Sequence, residues 1–372
     1  MNSQTAQILY LLSCAVNNKT PNKENINTGD INTIYDIASR HMVSVAVAYA
    51  LKSVGYEDNK TNEIILSSIR KTMLFDHAWK EIKEKLEQNA IWYMPLKGCV
   101  LKSLYPKYGM REFSDFDILI DPTRTKDVRE IMENLGFTTN SFGVDNVDDY
   151  VKTPLLHFEM HHALLPSIDE LVEQNAYYKN YQDKLINVRG YEKGFTPEDF
   201  YLFMIAHEYK HYIRGGTGLR SLLDTYVFLR SQKLDAAILS ENVMKLGIER
   251  FERSNKQLAF HMLEDNKLTE TDEEILKYMM SSGTYGTVAH NVQNKITNNR
   301  WSKSQYIIHR FSVPFSEKVV EYNSFSSRYP LFYKYKILLP FLPFYRIILA
   351  ILSGRFISEA RAIKKANTKR QK

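Results

Sequence analysis

Residues 113–120 read Phe-Ser-Asp-Phe-Asp-Ile-Leu-Ile, and this short apolar run with two acids in it decides the fold. In an extended strand, successive side chains point to opposite faces, so Asp115 and Asp117 share one face while Phe116 and Ile118 share the other. Burying two carboxylates side by side is costly unless a cation lies between them. Divalent ions such as Mg²⁺ prefer oxygen ligands of this kind, so the run predicts a buried strand that carries a metal site.

A glycine turn precedes this strand. Residues 94–101 read Met-Pro-Leu-Lys-Gly-Cys-Val-Leu, an apolar stretch that enters a turn and continues as a predicted helix. The N–H groups of such a turn suit a phosphate, and a lysine there can reach one as a point charge. Lys97 and Gly98 are therefore predicted to contact the phosphates of a nucleotide, although a solvated loop lysine would give the same pattern.

A later strand supplies a third acid. Residues 155–161 read Leu-Leu-His-Phe-Glu-Met-His, so His157, Glu159 and His161 would share one face of a strand. Glu159 is predicted to complete a second metal site or to act as a base toward an acceptor hydroxyl. Each motif alone is weak, but the turn, the two aspartates and the later acid together predict a metal-dependent nucleotide site.

These motifs, in this order, resemble those of a known family. They are similar to the bacterial uncharacterised nucleotidyltransferase family of the polymerase-beta superfamily, over roughly residues 30–290. The resemblance rests on Leu-Lys-Gly at 96–98, Arg111-x-x-Ser114-Asp115-x-Asp117, Glu159-x-His161, His207-x-x-Lys210-His211, and Leu219-Arg220 followed by Asp224. One difference lies in the turn, where Lys97-Gly98-Cys99 replaces the Gly-Gly or Gly-Ser that is usual in the superfamily.

The resemblance implies an α+β fold with a small mixed sheet, flanked by an N-terminal helical segment and a C-terminal helical subdomain. It implies that Asp115, Asp117 and Glu159 hold two Mg²⁺ or Mn²⁺ ions, and that an NMP group moves from an NTP such as ATP to a hydroxyl, releasing pyrophosphate. The acceptor could be a small molecule, a sugar, a protein or an RNA end. Predicted contacts to the NTP come from Lys97, Gly98, Arg111, Ser114, His207, Lys210 and Arg220. For Arg111, pairing with Asp115 competes with a phosphate contact and is the favoured of the two. For His207, Lys210 and Arg220, the alternative is a structural polar cluster around Asp224.

A His-Glu-x-x-His sequence at residues 207–211 offers a different function. On a helix, that spacing places His207 and His211 on one face, where zinc could bind with Glu208 as the base of a peptidase. No third ligand follows at a typical spacing, and Lys210 would place a positive charge beside the metal. A zinc metallopeptidase and a non-catalytic nucleotide-binding module are the alternatives. A glycosyltransferase is disfavoured because mainly helical residues precede the Asp-x-Asp.

Composition and charge limit the classes of molecule that the protein is expected to bind. The chain has 372 residues and a net charge of +6, and residues 361–372 alone carry six Lys or Arg and no acid. The remainder is close to neutral, so no general nucleic-acid groove is indicated. Two cysteines, Cys14 and Cys99, argue against a disulfide scaffold or a cysteine-rich zinc site. The N-terminal residues do not read as a secretory signal, so we expect a cytoplasmic protein.

Four parts are predicted along the chain. They are an N-terminal helical segment at 1–89, a nucleotidyltransferase core at 90–192, a helical subdomain at 193–290, and a C-terminal extension at 291–372. Apolar spacing predicts a long helix from about Glu63 to Gln88. The sequence Thr-Pro-Glu-Asp at 196–199 predicts the start of another helix, because it offers a capping residue, a first-turn proline and first-turn acids.

The C-terminal extension is aromatic and apolar between Tyr329 and Leu352. Charged residues and prolines interrupt this span, so it is a poor membrane-spanning helix. With the basic tail beside it, the extension could make a weak contact with an anionic membrane surface. The alternative is that it packs on the helical subdomain and that its tail is solvated.

Overall fold

The structure is a computed structural model of the chain that describes residues 3–265, 267–315, 325–326 and 328–366. Helices surround one mixed sheet of seven strands, which confirms the predicted α+β class. Three basic residues of the predicted tail, Lys369, Arg370 and Lys372, lie outside the described residues.

The sheet places the two acidic strands side by side. Its strands are β1 (Tyr93–Pro95), β2 (Phe116–Ile120), β3 (Thr138–Ser141), β4 (Val147–Lys152), β5 (Leu156–His161), β6 (Ile186–Arg189) and β7 (Glu192–Gly194). Their order across the sheet is β3-β4-β5-β2-β1-β7-β6. β2 pairs antiparallel with β1 and parallel with β5, while antiparallel hairpins form the two edges. The strands that carry the predicted acids are therefore neighbours in the middle of the sheet.

Helices before, between and after the strands make up most of the chain. They are α1 (Ser3–Val16), α2 (Ile31–Arg40), α3 (Ser44–Ser53), α4 (Asn59–Gln88), α5 (Gly98–Leu101), α6 (Thr125–Asn134), α7 (Val172–Tyr177), α8 (Pro197–Arg214), α9 (Leu219–Ser231), α10 (Ala236–Lys245), α11 (Glu249–Phe260), α12 (Glu270–Ser282), α13 (Val288–Asn298), α14 (Lys303–Ser312), α15 (Pro330–Lys334), α16 (Leu342–Leu352) and α17 (Arg355–Lys365).

Two helix starts show how sequence sets these bounds. α8 begins at Pro197 as predicted, because the Thr196 side chain accepts a hydrogen bond from the N–H of Asp199. α4 begins at Asn59, four residues before the predicted start, because the Asp58 side chain caps the N–H of Thr61. The capping residue, rather than the first apolar residue, defines where each helix begins.

The two faces of the sheet differ in polarity. Phe116 and Ile118 of β2 and Phe158 of β5 are buried together against Phe75 of α4. The Phe75 and Phe158 rings stack with their centres 5.5 Å apart. Leu119, which alternates with these residues, instead joins a second apolar cluster that includes α8. The polar face of β2 is thus turned toward α8.

The N-terminal helices share a core with helices that follow the sheet. Leu12 of α1 and Val47 of α3 are buried in one cluster with Leu222 of α9, Leu258 of α11 and Met279 of α12. The division into four parts stays a prediction. The shared core nevertheless fixes α9 and α11 against the N-terminal segment and so around the sheet.

A buried ion pair ties the connection between β1 and β2 to α9. Arg111 Nε and Nη2 donate to the two carboxylate oxygens of Asp224 at 2.7 Å each, and the Tyr105 hydroxyl donates to the same carboxylate at 2.7 Å. Arg111 and Asp224 are both buried. Burial acts to lower the pKa of Arg111, but the Asp224 charge outweighs it and the net shift is upward. This pair holds the segment that leads into β2.

Among the described residues, no single helix is long and apolar enough to cross a membrane. Lys336–Leu352 and Arg355–Lys365, which are bent by 100° at a short break, would together be long and apolar enough.

Breaking the Arg111–Asp224 pair should destabilise the whole fold. We expect Asp224→Ala to lower the free energy of unfolding by about 3–5 kcal/mol, because the Arg111 charge and the Tyr105 hydroxyl stay buried without their partner. Urea unfolding measures the change. As a control, Lys245→Met removes an exposed pair with Glu241 and should leave the midpoint nearly unchanged. Equal midpoints for Asp224→Ala and the wild type would contradict a structural role for the buried pair.

Candidate active site

Strand register brings two acids together that are distant in sequence. In the parallel pairing of β2 and β5, Asp117 lies directly beside Glu159. Side chains paired in this way point to the same face of the sheet. His161 follows on that face, and its Nε2 lies 2.9 Å from Asp117 Oδ1 and 3.5 Å from Glu159 Oε2. Asp117 and His161 are buried and Glu159 is half-buried, so the cluster sits at the boundary between core and solvent.

The donor atoms of this cluster fit a divalent cation. Asp117, Glu159 and His161 each offer one ligand atom, and these atoms lie within 4.8 Å of one another. Carboxylate oxygens are the ligands that Mg²⁺ prefers, and an imidazole nitrogen suits transition metals such as Mn²⁺. The residues present are therefore compatible with the predicted Mg²⁺ or Mn²⁺.

Asp115 lies immediately before β2 and is half-buried. Its pKa is raised, first by burial and then by the negative charges of Asp117 and Glu159, while a hydrogen bond with Ser114 acts in the opposite direction. It does not belong to the compact cluster of three ligand atoms. A positive charge placed among the three carboxylates would relieve this repulsion and stabilise the charged form of Asp115. A bound metal ion would supply such a charge.

Positive charge reaches the carboxylates from the turn after β1. Lys97 has a φ of +35°, which non-glycine residues rarely adopt, and such strain is common at functional sites. Its Nζ lies 3.0 Å from Asp117 Oδ1 and 3.0 Å from His207 Nε2. Lys210 Nζ, three residues further along α8, lies 2.7 Å from the same His207 nitrogen. The one acceptor nitrogen of His207 thus lies within hydrogen-bond distance of two lysines, and both lysines lie beside the acids.

Burial and neighbouring charge set the protonation of Lys210 and of His207. Burial lowers the pKa of Lys210 to about 7, and the charge of Lys97 acts in the same direction. Burial also lowers the pKa of His207 well below its usual range, and the charges of Lys210 and Lys97 lower it further. The ring of His207 is consequently uncharged at neutral pH, as an acceptor of hydrogen bonds must be.

The pKa of Asp117 responds in the opposite way to that of Asp115. Burial acts to raise it, but the Lys97 charge and the hydrogen bond from His161 outweigh burial and hold it well below its usual range. His161 in turn has two carboxylates as hydrogen-bond partners, Asp117 and Glu159. They raise the pKa of His161 against the effect of burial. The site therefore contains a carboxylate cluster and a lysine cluster that meet at Asp117.

Three residues predicted to contact the NTP, namely Gly98, Arg111 and Arg220, make contacts within the protein near the segments that carry the site. Gly98 lies under the Arg111 side chain, where an added Cβ would be 2.5 Å from Nη1. The prediction that Arg111 pairs with Asp115 is wrong, because its guanidinium is taken up by Asp224. Arg220 Nη1 donates to the backbone oxygen of Glu112 at 3.1 Å. Contacts of Gly98, Arg111 and Arg220 with a phosphate stay predictions.

The geometry gives the zinc alternative no support. Glu208 is buried between helices, where its carboxylate accepts from Asn255 at 3.1 Å and lies 3.5 Å from the Thr225 hydroxyl. Burial, and then the charge of Asp224, raise the pKa of Glu208 well above its usual range. Among the described residues, His207 and His211 belong to no group of three potential ligands. A peptidase would need Glu208 as an ionised base beside the metal.

The sequence alone does not assign a role to two residues that the geometry makes central. Alternation with Glu159 places His161 on the polar face of its strand but leaves open whether it supports the site or is a plain strand residue. The sequence offers Asp224 as the centre of a structural polar cluster with His207, Lys210 and Arg220, and not as the partner of Arg111. Its pairing with Arg111 joins positions 113 residues apart, and no local pattern signals such a contact.

Comparison with known proteins agrees with the motif order. A family model described as uncharacterised nucleotidyltransferase matches residues 27–264, which is more than half of the chain. The matched span contains the whole sheet and every predicted site residue, and it ends before the C-terminal extension. Neither the curated proteins nor the solved structures contain a match.

In the absence of metal, replacing Asp115 and replacing Asp117 should have different effects on the stability of the fold. With divalent ions chelated by EDTA, Asp115→Asn is expected to keep or raise the melting temperature at neutral pH, because the fold disfavours its charged form. Asp117→Asn is expected to lower the free energy of unfolding by about 3 kcal/mol, because Lys97 and His161 lose a buried charged partner. Thermal unfolding measures both.

The pH dependence of stability tests whether the charge of Asp117 causes the expected loss. Stability from the Asp117 charge is present above the pKa of an unfolded aspartate and is lost as pH falls through the lower pKa of the folded state. The difference between Asp117→Asn and the wild type should therefore shrink in acid. An Asp117→Asn protein at least as stable as the wild type at neutral pH would show that the ion pair contributes nothing.

Proposed function

The chain belongs to the uncharacterised nucleotidyltransferase family, and from that premise we propose that it moves an NMP group from an NTP to a hydroxyl acceptor with the help of Mg²⁺ or Mn²⁺. The observation that carries the proposal is the meeting of two charge clusters. Asp117 and Glu159 lie side by side on neighbouring strands, and Lys97 and Lys210 face them from the turn and from α8. Such an arrangement suits a metal-bound triphosphate.

The acids would hold the metal. Asp117 and Glu159 would be its ligands, with His161 beside them, because their ligand atoms lie within 4.8 Å of one another. Asp115, whose charge those two acids repel, would be the third ligand. When bound there, the cation supplies positive charge to the triphosphate and makes the acceptor hydroxyl easier to deprotonate.

The chain's own residues account for the remaining requirements of the transfer. The acceptor oxygen forms a bond with the α-phosphorus, and the bond from that phosphorus to the bridging oxygen of pyrophosphate breaks, its electron pair leaving with pyrophosphate. The acceptor proton passes to the half-buried Glu159 carboxylate, which keeps some access to solvent. Lys97 and Lys210 place positive charge where negative charge develops on the leaving pyrophosphate.

His207 positions the two lysines. Its Nε2 lies within hydrogen-bond distance of both ammonium groups, so each lysine is fixed before a nucleotide arrives. Arranging both charges in advance removes a cost of ordering that binding would otherwise carry. The best-supported donor site is therefore formed by the lysines held at α8 and by the polar face of β2 and β5.

Glu159→Gln should impair transfer much more than binding. We expect the rate to fall about 100-fold or more, because the base for the acceptor hydroxyl is lost. The affinity for a non-hydrolysable NTP should change much less, since the aspartates and lysines stay in place. Transfer is measured as movement of label from an α-phosphate-labelled NTP to components of a cell lysate, and binding by calorimetry with Mg²⁺ present.

A matched control uses the same substitution on the surface. Glu133→Gln on α6 alters an exposed glutamate that pairs with Arg129 and should keep full activity. Labelling by Glu159→Gln and by Asp117→Asn at the wild-type level would overturn the proposed transfer. A crystal structure with a non-hydrolysable NTP away from Asp115 and Lys97 would also do so.

Removing the lysines should separate nucleotide binding from metal binding. Lys97→Met and Lys210→Met are each expected to weaken NTP affinity about tenfold or more, because a charged contact to phosphate is worth about 1.5–3 kcal/mol. Affinity for Mn²⁺ alone should rise in Lys97→Met, because the lysine no longer competes for Asp117. Electron paramagnetic resonance measures free Mn²⁺, and Lys245→Met is the exposed control. Unchanged NTP affinity in both variants would contradict the donor site.

A further inference from the structure

The C-terminal segment at residues 330–365 carries an apolar surface that the rest of the described chain leaves uncovered. Ile337, Phe344 and Leu352 are 82%, 63% and 79% exposed. Thirteen large apolar side chains between residues 331 and 357 are exposed. In α16 the buried residues are Leu342 and Pro343, at its first turn. Proteins that remain monomeric in water rarely expose large apolar surfaces, so this concentration of exposed apolar side chains indicates a binding partner.

The segment is attached to the body of the protein through α17. Ala362 is buried with Val292 and Ile296 of α13. The Glu359 carboxylate accepts two hydrogen bonds from Arg310, at 2.8 and 3.0 Å, and one from the Tyr306 hydroxyl at 2.9 Å. These contacts fix α17, so α16 is presented from a firm base. Val292, Ile296, Tyr306 and Arg310 all belong to the predicted extension, so the expectation that the extension packs on the helical subdomain stays a prediction.

Charge identifies the partner. Residues 328–365 contain eight Lys or Arg and one acid, Glu359, which is already engaged by Arg310. Exposed Lys336 and Arg355 lie among these apolar side chains, one on each side of α16, and exposed Lys365 follows them along the chain. A second copy of the segment would bring two strongly positive surfaces together, whereas an anionic lipid surface would neutralise them. Apolar side chains flanked by basic ones are the pattern of helices that lie at a membrane interface.

We propose that residues 330–365 dock the protein onto the surface of an anionic phospholipid bilayer, with α16 lying in the interface and its apolar side chains inserted. The length of α16 favours a surface position. Its 11 residues extend about 16 Å at about 1.5 Å per residue, roughly half of the hydrocarbon core of a bilayer. The bend of 100° before α17 turns the chain back toward the protein body instead of through the membrane.

Vesicle flotation of the full chain tests this docking. The probes are vesicles of phosphatidylcholine with phosphatidylglycerol, and vesicles of phosphatidylcholine alone. The protein should float with the anionic vesicles, and raised salt should weaken the association because part of the attraction is electrostatic. Flotation that is absent on anionic vesicles, or that is equal on both kinds, would overturn the proposal.

Two variants separate the apolar and the electrostatic contributions. The triple variant Phe344→Ser, Ile348→Ser and Leu352→Ser removes exposed apolar side chains, and we expect it to reduce binding to anionic vesicles about tenfold or more. The charge variant Lys336→Glu, Arg355→Glu and Lys365→Glu should cause a loss of similar size. All six positions are exposed, so circular dichroism and NTP binding should match the wild type.

A matched control removes exposed apolar side chains elsewhere. Val172→Ser, Val188→Ser and Met244→Ser change residues that are 58%, 58% and 62% exposed, outside the segment, and should leave flotation unchanged. Equal losses in the control and in the apolar variant would mean that the segment has no special role. Sedimentation velocity addresses the rival partner: self-association that needs Phe344, Ile348 and Leu352, without flotation, would show that a second copy covers the surface and would overturn the proposal.

Discussion

A buried carboxylate that must be matched by positive charge organises this protein. Asp117 lies in the middle of the sheet, where an unpaired charge would be very costly, and Lys97 and His161 both contact it. Lys97 reaches it from a turn with an unfavourable φ, and His161 reaches it from the neighbouring strand. Three features of the fold bring positive groups to the Asp117 carboxylate: the turn, the register of β2 with β5, and the approach of α8. Asp115 and Glu159 add further negative charge beside it, and three neighbouring carboxylates suit a divalent cation.

Packing on the opposite face of the sheet makes this electrostatic arrangement sustainable. Phe75, Phe116 and Phe158 form a buried aromatic group whose burial stabilises β2 and β5 whatever happens on the polar face. The buried Arg111–Asp224 pair adds a second fixed point, because it joins the segment before β2 to α9. A site with crowded like charges is intrinsically unfavourable, and proteins keep such sites only where the surrounding structure determines them. Here an aromatic core and a buried ion pair provide that surrounding structure.

The sequence pattern correctly predicted the features that depend only on neighbouring residues, such as which face of a strand a side chain occupies and where a helix begins. Alternation along residues 113–120 and 155–161 assigned Phe116 and Phe158 to one face and the acids to the other, and the capping pattern at Thr196 placed the start of α8. Pattern could not supply partners across the fold, such as Asp224 for Arg111, because nothing near either residue specifies the distance or direction of the other. It also could not decide whether the C-terminal extension is covered. The same apolar and aromatic composition suits a packed helix and an exposed one, and only the surroundings of α16 distinguish the two.

The choice of histidine at position 207 follows from what the lysines must do. Lys97 and Lys210 repel each other, and some acceptor must hold them at one place. A carboxylate there would do so by neutralising one of them, and the positive charge available to a phosphate would fall accordingly. An imidazole whose pKa is lowered by burial and by these same lysines stays neutral, so its Nε2 offers the two lysines an acceptor without neutralising their charge. Spacing of His207 and Lys210 by three residues on α8 puts both on one helix face, toward Asp117. The lysine cluster is thereby positioned and still able to attract an anion, which is the combination that binding a triphosphate beside three carboxylates requires.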